Sequence, residues 1–225
     1  VVDTVTTDET GLAESKPLYL GKYEIREITA PGGYVLNTEV HTAELIYAGQ
    51  EVEITETTAD FYNERQKAAV SLNKVLEQNT QFEIGMNGEI SAVTFGLFAA
   101  EDLTAADGSI IPADGLLEIL SVDENGHAVC NTGLPFGSYY LKELSTDGHY
   151  ILSDEKYPIV FDYAGQDIAL VEIKVNDGKP IGNDLIYGEI HGLKKAEDGN
   201  ALGGAVIGLF KADCTEFTRE NAILT

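Results

Sequence analysis

The sequence predicts an all-β chain of tandem β-sandwich repeats, and three observations carry the prediction. Short runs alternate apolar and polar residues with period two, as half-buried strands do: VSLNKV, KYEIRE, YYLKEL, YPIVFDY and DIALVEIKV. Turn-forming clusters separate them, among them MNG, ADG, DENG, TDG and NDG. The third observation is an internal repeat. LYLGKYEIRE from Leu18 returns as LPFGSYYLKE from Leu134, GGYVL around Tyr34 returns as GHYIL around Tyr150, and YAGQ at Tyr47 returns at Tyr163, all 116 residues apart. DETG at Asp8 answers DENG at Asp123, 115 residues on.

A second correspondence involves the other end of the unit. VTFGLFAA from Val93 matches AVIGLFKA from Ala205, with Gly96 and Gly208 separated by 112 residues. N-terminal residues therefore match the back of the middle unit, and C-terminal residues match its front. The expected organisation is the C-terminal part of one unit over residues 1–66, a complete unit at 67–184, and the N-terminal part of a third at 185–225. Such a chain is a window on a longer array, and its VVDTVTTDET start shows neither an initiator Met nor a signal peptide. Seven or so short strands in roughly 115 residues is the profile of a sandwich. TAADGSIIPADG (Thr104 to Gly115) reads as a loop inserted between strands. No segment holds a 3.6-residue apolar period, and no apolar run is long enough to span a bilayer.

Composition removes several function classes. Fourteen Lys plus Arg stand against 38 Asp plus Glu, a formal charge of −24, so neither nucleic acid nor an anionic membrane is an expected partner. A hydrophobic content of 44% is too high for a disordered acidic tail. Cys130 and Cys214 form no CxxC, and His41, His127, His149 and His191 lie far apart, so neither a disulfide framework nor a zinc site is expected. DENG and ADG lack the ligand spacing of a calcium loop. No cofactor or metal is expected, and without a nucleophilic triad or phosphate loop the chain is not read as an enzyme. Cys130 is expected as a small buried hydrophobe on a strand.

Three polar residues recur where the alternation points inward. Val70, Leu72 and Lys74 share one strand face, as do Tyr139, Leu141 and Glu143, and in the first unit Tyr23, Ile25 and Glu27. An Asn stands near each unit's end, Asn63 in DFYNE and Asn183 in IGND. Asn63 to Lys74 and Asn183 to Lys194 each span eleven residues, which selects Lys194 over Lys195. An ordinary buried ion pair beside a hydrogen-bonded Asn is the plain reading of such a trio.

YEIREITAPGGY (Tyr23 to Tyr34) closely resembles the E-box of Cna-B and SpaA-type domains, Y-x-L-x-E-x-x-A-P-x-G-Y. LKKAEDGNALGGAVIGLF (Leu193 to Phe210) is similar to their opening strand. The middle unit departs from both patterns: ELSTDGHY lacks the Ala-Pro, and the Lys74 segment lacks the DG-x-x-L-x-G-A turn. The resemblance implies prealbumin-like, immunoglobulin-like sandwiches in a Gram-positive surface adhesin or pilin. It also implies an isopeptide bond between the first-strand Lys and the last-strand Asn, assisted by the E-box Glu. In the middle unit these are Lys74, Asn183 and Glu143; Glu27 and Asn63 lack their Lys, and Lys194 lacks its Glu and Asn. A buried amine loses its proton more readily and a buried carboxyl holds one, so the neutral amine can attack the Asn amide while the carboxyl bonds its carbonyl and relays protons. The implied role is a stalk segment whose partners are adjacent repeats. The implied location is extracellular and cell-wall-anchored through sortase, although no LPxTG-like signal lies in these residues. The alternative is a module that grips a host extracellular-matrix protein or glycan through inter-strand loops such as Thr104 to Gly115.

Overall fold

The structure, a computed structural model, describes residues 1–105 and 107–223. Near the N-terminus, β1 (Gly21–Ile25) and β2 (His41–Leu45) pair antiparallel. The remaining strands belong to one sandwich: β3 (Lys67–Leu76), β4 (Thr94–Ala99), β5 (Leu103–Thr104), β6 (Ile110–Ile111), β7 (Leu116–Ser121), β8 (His127–Val129), β9 (Gly137–Ser145), β10 (Lys156–Phe161), β11 (Leu170–Lys174) and β12 (Ile181–Asn183). One layer is the antiparallel sheet β10-β9-β4-β7. The other is organised by β3, which pairs parallel with β11 along its first half, parallel with β12 at its end, and antiparallel with β8 on its other edge. Two short 3₁₀ turns, Glu89–Ala92 and Val175–Gly178, are the only helical elements among the described residues.

Alternation decides what lies between the layers. Val70 and Leu72 of β3, Phe95 and Leu97 of β4, Tyr139 and Leu141 of β9, Ile159 and Phe161 of β10, and Ile181 of β12 form one buried cluster. In β4, Gly96 is required by its own neighbour: a Cβ there would meet the ring of Phe98 at 2.5 Å. The hydroxyl of Tyr139 donates to Pro135 O, and that of Tyr23, 116 residues earlier, donates to Tyr19 O at 2.6 Å.

The Thr104 to Gly115 stretch is more ordered than a plain loop. Ile110–Ile111 folds back on Leu103–Thr104 as a hairpin, and Ala106 within it lies outside the described residues. Cys130 differs from expectation too. It sits just past β8 and is half-buried, and its thiol donates to Glu118 at 3.1 Å. Leaving water pushes the thiol up to about 12, with the adjacent carboxylate adding to the shift.

Residues 186–223 form a separate unit. The opening strand expected at Leu193 to Phe210 is not formed; a bridge from Lys195 to Ala201 closes a turn at Asp198 and Gly199. A strand needs a ladder, and β3 has three neighbours, all supplied from later in its own unit. The local Gly-Leu-Phe geometry persists without them, since a Cβ at Gly208 would meet Phe210 at 2.9 Å. No helix among the described residues is long and apolar enough to cross a membrane.

Candidate functional site

Lys74, Glu143 and Asn183 meet in the sandwich interior at 2%, 1% and 4% exposure. Each arrives by the same logic. Lys74 follows Val70 and Leu72 on the inward face of β3, and Glu143 follows Tyr139 and Leu141 on the inward face of β9. The β3–β12 register sets Asn183 opposite Leu76, two residues beyond Lys74 on the same face. The amine and the amide thus come from one sheet and the carboxyl from the other.

The Glu143 carboxyl faces both partners. Its Oε1 lies 3.4 Å from Lys74 Nζ, an ion-pair distance without hydrogen-bond geometry. Its Oε2 accepts from Asn183 Nδ2 at 2.8 Å and from the backbone N–H of Ser153 at 2.9 Å. Asn183 Nδ2 also donates to Ile151 O at 2.6 Å. A carbonyl can only accept, so it fixes which way the amide points. The expected contact from the carboxyl to the Asn carbonyl is therefore not formed: the amide nitrogen faces Glu143. Lys74 Nζ, Glu143 Oε1 and Asn183 Oδ1 are all buried without a hydrogen-bond partner.

Three unsatisfied polar atoms in one apolar pocket are costly for a resting structure, at about 1–3 kcal/mol each. Burial holds the Lys74 ammonium below the ordinary lysine value; attraction to the Glu143 carboxylate opposes the shift without cancelling it. The backbone also holds the site. Lys74 N donates to Gly126 O at 2.6 Å, so the DENG turn packs directly on the Lys74 peptide. Asp123 closes that turn by accepting from Asn125 N and His127 N, as Asp8 does from Thr10 N and Leu12 N in DETG. These acidic residues are turn caps, and among the described residues no cluster of His, Cys, Asp and Glu could hold a metal ion.

The first unit carries the same half-site. Asn63 Nδ2 donates to Glu27 Oε2 at 2.6 Å and to Val35 O at 2.9 Å, and Asn37 N donates to Glu27 Oε2 at 2.7 Å. Glu27, Val35 and Asn37 lie 116 residues before Glu143, Ile151 and Ser153. Both Glu27 and Asn63 are only half-buried, with no Lys beside them among the described residues. Lys194, in the separate C-terminal unit, is exposed and meets neither a Glu nor an Asn partner there.

Residues 1–59 match the family model of the SpaA prealbumin-like fold domain. The trypsin-resistant surface T6 protein of Streptococcus pyogenes serotype M6 is 34% identical over 77 residues, which is 33% of this chain and 14% of that protein. The chain thus spans a small part of that relative. Among solved structures, the Bacillus anthracis TIE protein aligns over 88% of this chain and 34% of its own, at a TM-score of 0.52 and 20% identity, a likeness of fold. The T6 backbone pilin of serotype M6 Streptococcus pyogenes aligns over 43% of this chain and 16% of its own, at a TM-score of 0.28 and 21% identity.

Proposed function

We propose that the chain is a structural segment of a Gram-positive surface stalk or pilus, made inextensible by an autocatalytic Lys74–Asn183 isopeptide bond. The observation that carries this reading is the buried trio, in which a single carboxyl faces the nucleophile with one oxygen and the leaving nitrogen with the other. The match to SpaA-type sequence and the surface T6 relative support the cell-surface role.

The chemistry balances within the three side chains. Neutral Lys74 Nζ attacks Asn183 Cγ, forming the Nζ–Cγ bond and placing charge on Oδ1. Glu143 takes a proton from Nζ at Oε1 and returns that same proton to Nδ2. The Cγ–Nδ2 bond then breaks and ammonia leaves. Burial lowers the Lys74 pKa and so supplies the free amine, and the fold supplies the effective concentration that amide exchange needs. Glu143 returns to its starting state, so each molecule reacts once and acts on no external substrate.

Mechanics explains the placement. The sandwich is entered at Lys67 and left after Asn183, at opposite ends of β3, some ~30 Å apart at the usual rise per residue. Without a crosslink, tension shears the β3–β12 ladder; with one, it runs through residues 67–74 and a covalent bond. Intact-mass measurement followed by tandem mass spectrometry of proteolytic fragments tests the reading. The expected mass is one ammonia (about 17 Da) below the sequence mass, with Lys74 and Asn183 peptides found joined. A full sequence mass after prolonged incubation of the folded chain refutes it.

A further inference from the structure

The repeated motif that the trio does not use is Tyr-Ala-Gly-Gln. In its second copy, all four residues bond to what precedes the sandwich. Gln166 accepts from Ala30 N through Oε1 at 2.9 Å and from Leu36 N through its backbone carbonyl at 2.9 Å. Tyr163 donates its hydroxyl to Tyr34 O at 3.3 Å. Gly165 O accepts from Gln66 Nε2 at 3.0 Å, and Ala164 N donates to Gln66 Oε1 at 2.8 Å.

Gln66 is the connecting piece. It lies between Asn63 and the start of β3, is 3% exposed, and uses both ends of its amide. Nε2 reaches Ile168 O at 2.6 Å as well as Gly165 O, and its backbone N–H donates to Gly33 O at 3.0 Å. A buried amide satisfied at every position is a specific orienting contact rather than general stickiness. Phe136 completes the seam: its ring lies 6.2 Å from that of Tyr163 in an edge arrangement, and a Cβ at Gly33 would meet it at 3.1 Å.

The first copy of the motif folds into the same turn. Val52 N donates to Gly49 O at 3.3 Å, as Ile168 N does to Gly165 O at 3.3 Å, and both glycines have positive φ, 120° and 101°. Tyr47 is 66% exposed, against 40% for Tyr163. The turn is therefore a property of the motif, formed whether or not a partner loop is seated on it.

We propose that the Tyr-Ala-Gly-Gln turn is a domain-docking element whose occupant is the loop after the E-box strand of the preceding prealbumin-like segment. Tyr163–Gln166 seats Ile28–Leu36, with Gln66 as the pin, and holds the two parts as one body. This rests on contacts separate from Lys74, Glu143 and Asn183, so the docking and the crosslink fail independently.

Site-resolved amide exchange on the full chain tests it, with Gln166→Ala, Gln66→Ala and Gln50→Ala compared against the parent. Gln166→Ala and Gln66→Ala should each speed exchange at Ala30 and Leu36 by about five- to tenfold, the size of one lost hydrogen bond. Amides of β3 and β9 should keep their protection, and Gln50→Ala should leave Ala30 and Leu36 unchanged. Unchanged exchange at Ala30 and Leu36 in Gln166→Ala overturns the proposal. Equal acceleration throughout β3 and β9 also overturns it, because Gln166 would then be a folding residue of the sandwich. Gln66 is buried and its variant is the one at risk of misfolding; the Gln166 variant decides the question alone.

Discussion

Replacing Glu143 by Gln keeps the side chain's size and its ability to accept from Asn183 Nδ2 and Ser153 N, while removing the proton relay between Lys74 and Asn183. If the bond forms in the parent, this variant should fold and remain uncrosslinked, about 16 Da heavier than the parent, since about 17 Da of ammonia is retained and the Glu-to-Gln change removes about 1 Da. The stability change follows from the loop that is no longer closed. A loop of roughly 110 residues between positions 74 and 183 confines the unfolded chain by about 4–5 kcal/mol on the chain-entropy estimate used for disulfides. For a sandwich of about 120 residues, an unfolding entropy near 2.1 cal/mol/K per residue converts that into a melting temperature lower by about 15–20 °C. Calorimetry and intact mass on the same sample read both quantities. Two results refute the reasoning. A variant about 1 Da lighter than a crosslinked parent, the Glu-to-Gln difference alone, means that Glu143 takes no part in forming the bond, and a retained ammonia in the parent means that no bond exists. A large fall in melting temperature with a mass change of only about 1 Da, the substitution itself, would assign Glu143 an ordinary packing role.

Three further outcomes follow from the same geometry. Gly126→Ala should destabilise the sandwich by about 1–3 kcal/mol in denaturant melts, because φ there is +79° and the new Cβ would lie 2.2 Å from Lys74 O; crosslinking should slow in parallel, read as the rate of ammonia loss during refolding. In uncrosslinked Asn183→Ala, Lys74 keeps a folded pKa below its unfolded one, so between the two values the unfolded state holds the extra proton and stability rises with pH. Denaturant midpoints should climb relative to the crosslinked parent as pH rises towards the ordinary lysine value of about 10.4, since the crosslinked Lys74 nitrogen no longer titrates; a falling difference contradicts the burial argument. Cys130 should react slowly with alkylating reagents at pH 8 in the folded chain, its thiol being pushed up to about 12, and should react at an ordinary thiol rate once unfolded.

Much of this protein could be read from local pattern. Period-two alternation placed Lys74 and Glu143 inward with Leu72 and Leu141, because side-chain direction along a strand is a local property. The repeat offset likewise paired Glu27 with Glu143 and the DETG turn with DENG, and turn chemistry is equally local. The hairpin within Thr104 to Gly115 was missed because its strands are two residues each, too short to show a period. The strand expected after Leu193 rested on the resemblance of LKKAEDGNALGGAVIGLF to an opening strand and not on period-two alternation, and it is not formed.

Tertiary structure alone decided what those inward residues meet. That Glu143 crosses from one sheet to face an amine and an amide on the other depends on how the sheets stack, which no strand encodes by itself. The Asn183 amide is turned nitrogen-first by the carbonyl of Ile151, more than thirty residues away. Gln66 reads in sequence as an ordinary polar residue in a short connection, and only the approach of Tyr163–Gln166 buries it. Alternation and turn composition specify direction and local geometry through contacts within a few residues. Partner identity, desolvation and the depressed Lys74 pKa arise from groups brought together across the chain, and these appear only when the layers close.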